Sequence, residues 1–493
     1  MRGRLATLLR RLMPLVIVGI AMWTYLTYGL QREIARDDAL YAHCGQRVVD
    51  GFAPYDRVFD VKGPFSSMVA TPGVIAAQHL GVPEYRAVQF EFIIIAILSV
   101  LAVYLLTHAL TDSITASTFA AVTFLGFQGF LQHAAGSRPK SFVLLLMVLA
   151  LVAMVRRRWA LGGALVAAAA LTWQAMVLLG LAGLAAIRGR ERRRRLRATL
   201  AFVGAGLALL GLVVAWTATR GGLVDLWHGS VLSLTYIGHR AVAMTPGMRV
   251  WRPLRECHEG YPSSFVAGLL GVLGLLAALS SCMREHDGLL GALTRSRWST
   301  VFVGFAVLMA FSVADFQGYA DVYVLLPFAA IGLGYLLWRA LEALTGPDQL
   351  VRPRHRTLAA ALVALVLLAP TVVFVKFHPG RGLDEQKRIT AEIIQRLDGR
   401  PIQCMNAPQV LYLGELNNVT RHVVLTPGLL RYVEAEEPGG IDGWLRSIEE
   451  ADTGIIVCYV RNCLEMPAVY NWVKDNYQLW RVYDEWEVYE RTD

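Results

Sequence analysis

A series of long apolar runs separated by short basic stretches restricts this chain more than any other feature of its sequence. The first run, Leu12 to Leu30, follows Arg2, Arg4, Arg10 and Arg11 and carries Trp23, Tyr25 and Tyr28 toward its far end. Further runs cover 89–110, 114–131, 139–155, 198–217, 263–281, 299–314, 322–338 and 357–375. A bilayer offers the backbone no water, so apolar runs of roughly twenty residues cross it as internally hydrogen-bonded helices. The fold class is therefore a polytopic α-helical membrane protein, and an apolar fraction of 55% with a mean hydropathy of +0.45 agrees.

Charge orients the spans. A net charge of +9 raises the question of nucleic acid, but the densest basic runs, Arg156 to Arg158 and Arg192 to Arg195, lie directly beside apolar spans. Such runs mark cytoplasmic flanks, so membrane lipids are expected as partners and nucleic acid is not. Multi-pass insertion in the plasma membrane follows, with the N-terminus cytoplasmic. The first run is long and no small-x-small cleavage site follows it, so a retained anchor is expected. Between the basic clusters, residues 159–187 are apolar apart from Thr172, Trp173 and Gln174. If both flanks are cytoplasmic, this segment is a pair of short helices with its tip at those residues. A single tilted span is the alternative and would invert everything downstream. Counting the pair as two gives about eleven spans and an exterior C-terminus.

Residues 1–375 form the membrane domain on this reading, with exterior loops at 31–88 and 218–262. The second loop carries His228, His239, Arg240, Arg249, Arg252, Arg255 and His258, a basic content on the outer side that suits an anionic substrate. Residues 376–493 change to soluble composition: a helix over Asp384–Leu397, strands at Ile402–Met405, His422–Leu425 and Gly454–Val460, and helices at Ile441–Glu450 and Ala468–Asn476. This exterior α/β domain has no Gly-rich phosphate loop or nucleophile motif, so support rather than chemistry is expected of it.

The loop at 31–88 concentrates the polar chemistry. Asp37 or Asp38 can cap a helix running to about Asp50, with Gly51 beyond it and Leu40, Tyr41, Cys44 and Val48 on one stripe. Thr71, Pro72 and Gly81 bracket a second short helix, and the turn from Asp60 to Pro64 lies between the two. Six cysteines without CxxC pairing or interleaved histidines give no zinc pattern. A Cys44 to Cys257 bridge between the exterior loops is one arrangement the sequence leaves open.

The order Asp37-Asp38-x-x-Tyr41, then Gly51, Pro54 and Tyr55, then Asp60 to Phe65 reading Asp-Val-Lys-Gly-Pro-Phe, resembles the first exterior loop of the GT-C glycosyltransferases. Within that superfamily it is similar to the branch of protein O-mannosyltransferases and the lipid A aminoarabinose transferase. Those enzymes carry an Asp-Glu pair after the first span and a Lys-Pro-Pro-Leu motif at the loop's end. Weaker matches are Gly136, Arg138 and Pro139, Thr172 and Gln174, and Tyr323 through Pro327. Leu40 stands where some members have Arg, and Val61 where they have an acidic residue, with Asp60 one position earlier.

The resemblance implies transfer of a sugar from a polyprenyl-phosphate donor to an acceptor hydroxyl on a glycan, lipid or protein at the outer face. That reaction needs a carboxylate base, here Asp37, and cations on the departing phosphate, here Lys62 and then Arg138. Direct displacement would invert the anomeric carbon. Asp38 orients the acceptor or Lys62, or only caps its helix. Tyr41, Tyr55, Asp60, Lys140, Gln174, His228, Arg240 and Tyr319 complete the substrate-contact candidates. Each has a plainer alternative: Arg138 and Lys140 marking the end of a span, Gln174 bonding backbone at a helix break, His228 on the surface, and Asp315, Tyr319 and Asp321 solvated on a short turn. No metal site and no cofactor are assigned, and a requirement for a divalent cation stays open. A transporter or flippase of lipid-linked saccharides is the rival class. It predicts repeated halves and ionisable groups at mid-span, and neither is found.

Overall fold

The computed structural model describes residues 2–189, 192–237, 245–316, 318–345, 353–378 and 380–491. Among them, six helices are long and apolar enough to cross a membrane: Leu12–Gly29, Glu84–Thr111, Arg193–Thr219, Pro262–Glu285, Tyr319–Thr345 and Thr357–Phe377. Five shorter apolar helices accompany them: Ile114–Leu125, Pro139–Val155, Trp159–Thr172, Gln174–Arg188 and Ser299–Ala314.

Burial sorts these helices by their neighbours. Pro139–Val155 is enclosed nearly all round, as expected of a helix with no polar face. In contrast, Leu200, Leu207 and Leu212 on one helix and Leu358, Leu362 and Leu365 on another face outward, where lipid tails would meet them. Small residues bring the inner helices together. A Cβ at Gly271 or Gly274 would collide with the carbonyls of Ala329 and Gly332 on the facing helix. On the other side of that helix, a Cβ at Gly334 would stand 2.7 Å from the Ala116 carbonyl oxygen. Close backbone contact replaces the hydrophobic effect as the packing force where the solvent is itself apolar.

The 159–187 segment turns round. Trp159–Thr172 ends at Trp173, whose φ of −143° and ψ of 113° break the helix before a short 3₁₀ turn and Gly180–Arg188. Gly162 and Gly183, one on each arm, approach the same pair of side chains, Met154 and Phe202. The single tilted span is thereby excluded.

In the 31–88 loop the two short helices form as Arg36–Val49 and Thr71–Leu80. The cap differs from expectation. Ala35 occupies the N-cap, and Asp37 and Asp38 lie in the first turn with no capping hydrogen bond, leaving their carboxylates for other partners. In the second helix Ala70, not the expected Thr71, occupies the N-cap, Pro72 lies in the first turn, and Gly81 ends the helix at a φ of 64°.

The C-terminal α/β domain holds a sheet of order β1-β2-β4-β3. β1 (Ile402–Met405) runs parallel to β2 (Ile455–Tyr459), while β3 (Tyr477–Tyr483) and β4 (Trp486–Arg491) form a hairpin antiparallel to β2. The sequence carried a signal for this hairpin, since Tyr477, Leu479, Val482 and Tyr483 precede an Asp484-Glu485 turn and Trp486, Val488 and Tyr489 follow it. The expected strand at His422–Leu425 is instead an extended connector: Asn406 N–H donates to the Val423 carbonyl and Phe59 N–H to the Arg421 carbonyl. Phe59 also stacks on Tyr432 at 4.7 Å, so the residue next to Asp60 is held by the C-terminal domain. All six cysteines are unpaired, and the Cys44–Cys257 bridge is not formed.

Gly274→Val should therefore destabilise the protein by about 1–3 kcal/mol or more through overpacking, read as a lower unfolding temperature of the detergent-purified chain. Gly268→Val, nearly two turns away where a Cβ meets no neighbouring atom, should leave it unchanged.

Candidate active site

A cavity of about 600 Å³ opens between the ends of the membrane helices and the C-terminal domain. Its wall is built from the first turn of Arg36–Val49, the Asp60 to Lys62 turn, the start of Pro139–Val155, the 313–323 segment, Arg249 and Arg252, and residues 424–431 of the C-terminal domain. That volume is in the range of small-molecule sites.

Two adjacent carboxylates part company here. Asp38 is turned inward, with its side chain 4% exposed, and pairs with Arg138 Nε at 2.8 Å while Ser137 Oγ donates to its backbone carbonyl. Gly136 permits this approach, since a Cβ there would collide with the Asp38 carboxylate. Asp37 points to the cavity with 44% of its side chain exposed, and its one ion-pair contact is Arg36 at 3.5 Å. Burial pushes the Asp37 carboxyl up, but Arg138, Lys62, Arg36 and Lys140 together outweigh it and bring it down to about 2. Asp37 is an ionised carboxylate that faces the cavity with only the 3.5 Å contact to Arg36.

Lys62 reaches the cavity along a tethered path. Its ammonium donates to the Tyr41 hydroxyl and lies 4.4 Å from the centre of that ring. The Tyr41 hydroxyl donates to Asp60 at 3.2 Å, and Ser66 Oγ donates to the other Asp60 oxygen at 2.8 Å. Burial, then Asp60, pushes the Tyr41 phenol well up, so it remains a donor. The backbone of the turn is held as firmly. Tyr55, at a φ of 72°, donates to the Lys62 carbonyl at 2.6 Å, and Gln174 donates to the Val61 and Ser230 carbonyls at 3.1 Å. Lys140 pairs with Asp321 and stands 4.8 Å from the Trp173 ring. Lys62, Arg138 and Lys140 thus share the cavity with the half-exposed carboxylate of Asp37, and Asp315 lines it as well.

No protein-family model matches the sequence. A dolichol phosphate-mannose mannosyltransferase from Haloferax volcanii is 23% identical over 310 residues, so the match spans about 61% of that relative's length. ArnT from Cupriavidus metallidurans, solved with undecaprenyl phosphate bound, superposes with a TM-score of 0.61 at 13% identity over 96% of this chain and 97% of its own. The archaeal oligosaccharyltransferase AglB from Archaeoglobus fulgidus, solved with an inhibitory peptide and a dolichol-phosphate, gives 0.55 at 13% identity, over 92% of this chain and 70% of AglB. This chain has the GT-C fold.

Within the GT-C fold the sequence candidates separate into two groups. Asp37, Tyr41, Asp60, Lys62, Arg138, Lys140 and Tyr319 line the cavity. Asp38, Tyr55 and Gln174 stand behind it and hold those that do. His228 is elsewhere, its Nδ1 2.9 Å from the Tyr432 hydroxyl where the 218–262 segment meets the C-terminal domain, and Arg240 lies outside the described residues. Asp321, expected in solvent, is 2% exposed because it compensates Lys140. The acidic residues make no cation cage: Asp38 and Asp60 are committed to Arg138, Tyr41 and Ser66, and among the described residues no three His, Cys, Asp or Glu converge.

Several lining residues were not legible. Arg36, His133 and Tyr261 lacked a motif, and Tyr323 stood only in a weaker match to the family pattern. Arg431 and Thr426 sit in a tail whose charges look like ordinary surface, and only the docking of the C-terminal domain brings them to the cavity.

The two aspartates should respond in opposite ways to mutation. Asp38→Ala strands Arg138 without its counter-charge and should cost about 3–5 kcal/mol, lowering the unfolding temperature. Asp37→Asn should leave that temperature within error of the native value, and equal losses from both variants would refute the division of roles.

Proposed function

We propose that this chain is a membrane glycosyltransferase that moves a sugar from a polyprenyl-phosphate donor to an acceptor hydroxyl. The observation that carries this reading is an open, ionised carboxylate, Asp37, sharing one cavity with Lys62, Arg138 and Lys140. The fold and the polyprenyl phosphates bound by ArnT and AglB support the donor class. So does an apolar groove of about 350 Å³ that runs past Gly63 and Pro64, lined by Leu171, Leu210, Val213 and Trp227. An isoprenoid tail in that groove would bring its phosphate to Lys62.

In the proposed step Asp37 accepts the proton of the acceptor hydroxyl as its oxygen attacks the anomeric carbon. The bond from that carbon to the phosphate oxygen breaks on the opposite side, so the configuration inverts. The phosphate leaves with its electron pair and needs no proton, because Lys62 and Arg138 meet its growing charge. A carboxylate near 2 is a weak base in the empty site. Arrival of the anionic donor takes up part of the field of those cations and raises it toward its working value. Asp38 is a positioning residue that holds Arg138, and the Asp60-Tyr41 pair does the same for Lys62.

Residues 1–375 are the membrane and catalytic part on this reading, and 376–493 are an exterior domain that closes the cavity. The arginine clusters at 156–158 and 192–195 support a cytoplasmic placement for the far ends of the helices and an exterior face for the cavity. Arg249, Arg252 and Arg431 line the cavity's outer side, where an acceptor would enter.

Membranes supplied with labelled polyprenyl-phosphate sugars test the reading. Native chain should transfer label, and Asp37→Asn at matched expression should lose on the order of 10²–10⁴-fold. Equal transfer by both would remove Asp37 as the base, and no transfer from a broad donor panel would remove the reaction. Because the field of the cations holds the free Asp37 carboxylate ionised down to about pH 2, kcat/KM should also stay flat from about pH 8 to 5. A fall by tenfold per unit across that window would point to another base.

A further inference from the structure

Two helices carry the argument from the large cavity to the far end of the bundle. Pro139–Val155 starts beside Arg138 and ends at Arg156, about 25 Å away at 1.5 Å per residue. Ser299–Ala314 runs the other way, with Ala314 at the large cavity and Ser299 at the far end. There a second cavity of about 190 Å³ is lined by Arg157, Arg194, Arg295, Arg297, Ser299 and Thr300, and among the described residues no carboxylate lines it.

Three observations at this place point to an anion. The first is the charge: four guanidinium groups line the space, and among the described residues no acid lines it with them. Arg297 is paired with Asp112 at 2.8 Å, but Arg157 and Arg295 make no ion pair with a described residue. The second is the helix end. Ser299 and Thr300 begin a 16-residue helix whose N-cap, Trp298, supplies no side-chain acceptor, so the positive end of the helix faces the cavity. The third is a buried hydroxyl without a partner. Thr300 is 1% exposed and its Oγ1 has no hydrogen bond, although threonines in helices commonly bond back one turn. Ser299, 3% exposed on the same wall, likewise makes no side-chain hydrogen bond. Leaving such a donor unmet costs stability, and an acceptor entering the cavity would meet it.

We infer that this second cavity is a binding site for a phosphate group, held by the Ser299–Ala314 helix end, the Ser299 and Thr300 hydroxyls, and Arg157 and Arg295. Planar guanidinium forks and a helix N-terminus are the groups that recognise phosphate oxygens. The space continues into an adjoining cavity that shares Arg157 and Arg297 and adds Arg156, His108 and Asp112, the last paired with Arg297, so a phosphodiester headgroup can lie along the rim on the Arg156 and Arg157 side with its tails on the apolar helix faces. Free phosphate offers the same oxygens. The site is independent of the transfer chemistry, since none of its residues lines the large cavity.

The test uses the full-length protein in detergent, titrated with dihexanoyl phosphatidylglycerol, dihexanoyl phosphatidylcholine or inorganic phosphate, with binding read directly and by unfolding temperature. Phosphatidylglycerol should bind about tenfold or more tightly over phosphatidylcholine and raise the unfolding temperature. The Arg157→Ala/Arg295→Ala pair should abolish that preference. Thr300→Val should weaken phosphatidylglycerol binding about tenfold while the ligand-free variant unfolds at or above the native temperature, because an unmet buried hydroxyl has been removed. Selective binding of phosphatidylglycerol names a lipid as the source. Binding of inorganic phosphate alone, with the same sensitivity to both variants, names the free ion. Binding that neither variant changes, or no binding of either anion, overturns the site.

Discussion

The buried pair of Asp38 and Arg138 joins the first polar loop to the innermost helix of the bundle, and the rest of the cavity depends on it. A guanidinium at the edge of an apolar bundle needs a counter-charge within hydrogen-bond reach, and Asp38 provides one at 2.8 Å. With Nε satisfied by Asp38, Arg138 still lines the cavity. It also fixes the first turn of Arg36–Val49, and a helix turn of about 100° per residue sends the next carboxylate, Asp37, to a different face. Two adjacent acids thereby acquire different environments from one helix geometry.

The same arrangement recurs around the cavity. Lys62 leans on Tyr41, which leans on Asp60 and Ser66; Lys140 leans on Asp321. Lys62, Arg138 and Lys140 each have a buried partner on the far side, so a positive surface is maintained beside Asp37 without leaving these charges unsupported in an apolar setting. Such a surface is prepared for an anion and does not have to reorganise to receive one, which is the condition under which electrostatic stabilisation is most effective.

The C-terminal domain contributes more than cover. Phe59 is clamped by Tyr432 and His422, and the Phe59 amide by the Arg421 carbonyl, so the turn that carries Asp60 and Lys62 is held between two domains. Arg421 in turn pairs with Asp225 of the 218–262 segment and with Glu437. Hydrogen bonding to His422, then to Arg421, holds the Glu437 carboxyl down at about 2. This charged group ties three parts of the chain together at one edge of the site.

How much of this could be read in advance follows from the range of the forces involved. Local rules reached the membrane class, the apolar helices, the break at Thr172 to Gln174 and the two short helices of the first loop, because solvent partition and helix termini act over a few neighbouring residues. The grouping of Asp37, Lys62 and Arg138 came instead from the resemblance to the GT-C glycosyltransferases. The split between Asp37 and Asp38 was beyond such rules, since it rests on a partner 100 positions away. Likewise only the tertiary structure could seat Asp321 against Lys140, retire His228 to Tyr432, bring Arg431 to the cavity, and turn His422–Leu425 from a strand into a clamp. A charge or an aromatic ring in a loop is compatible with solvent or with burial, and which one holds is decided by the side chain that packs opposite it.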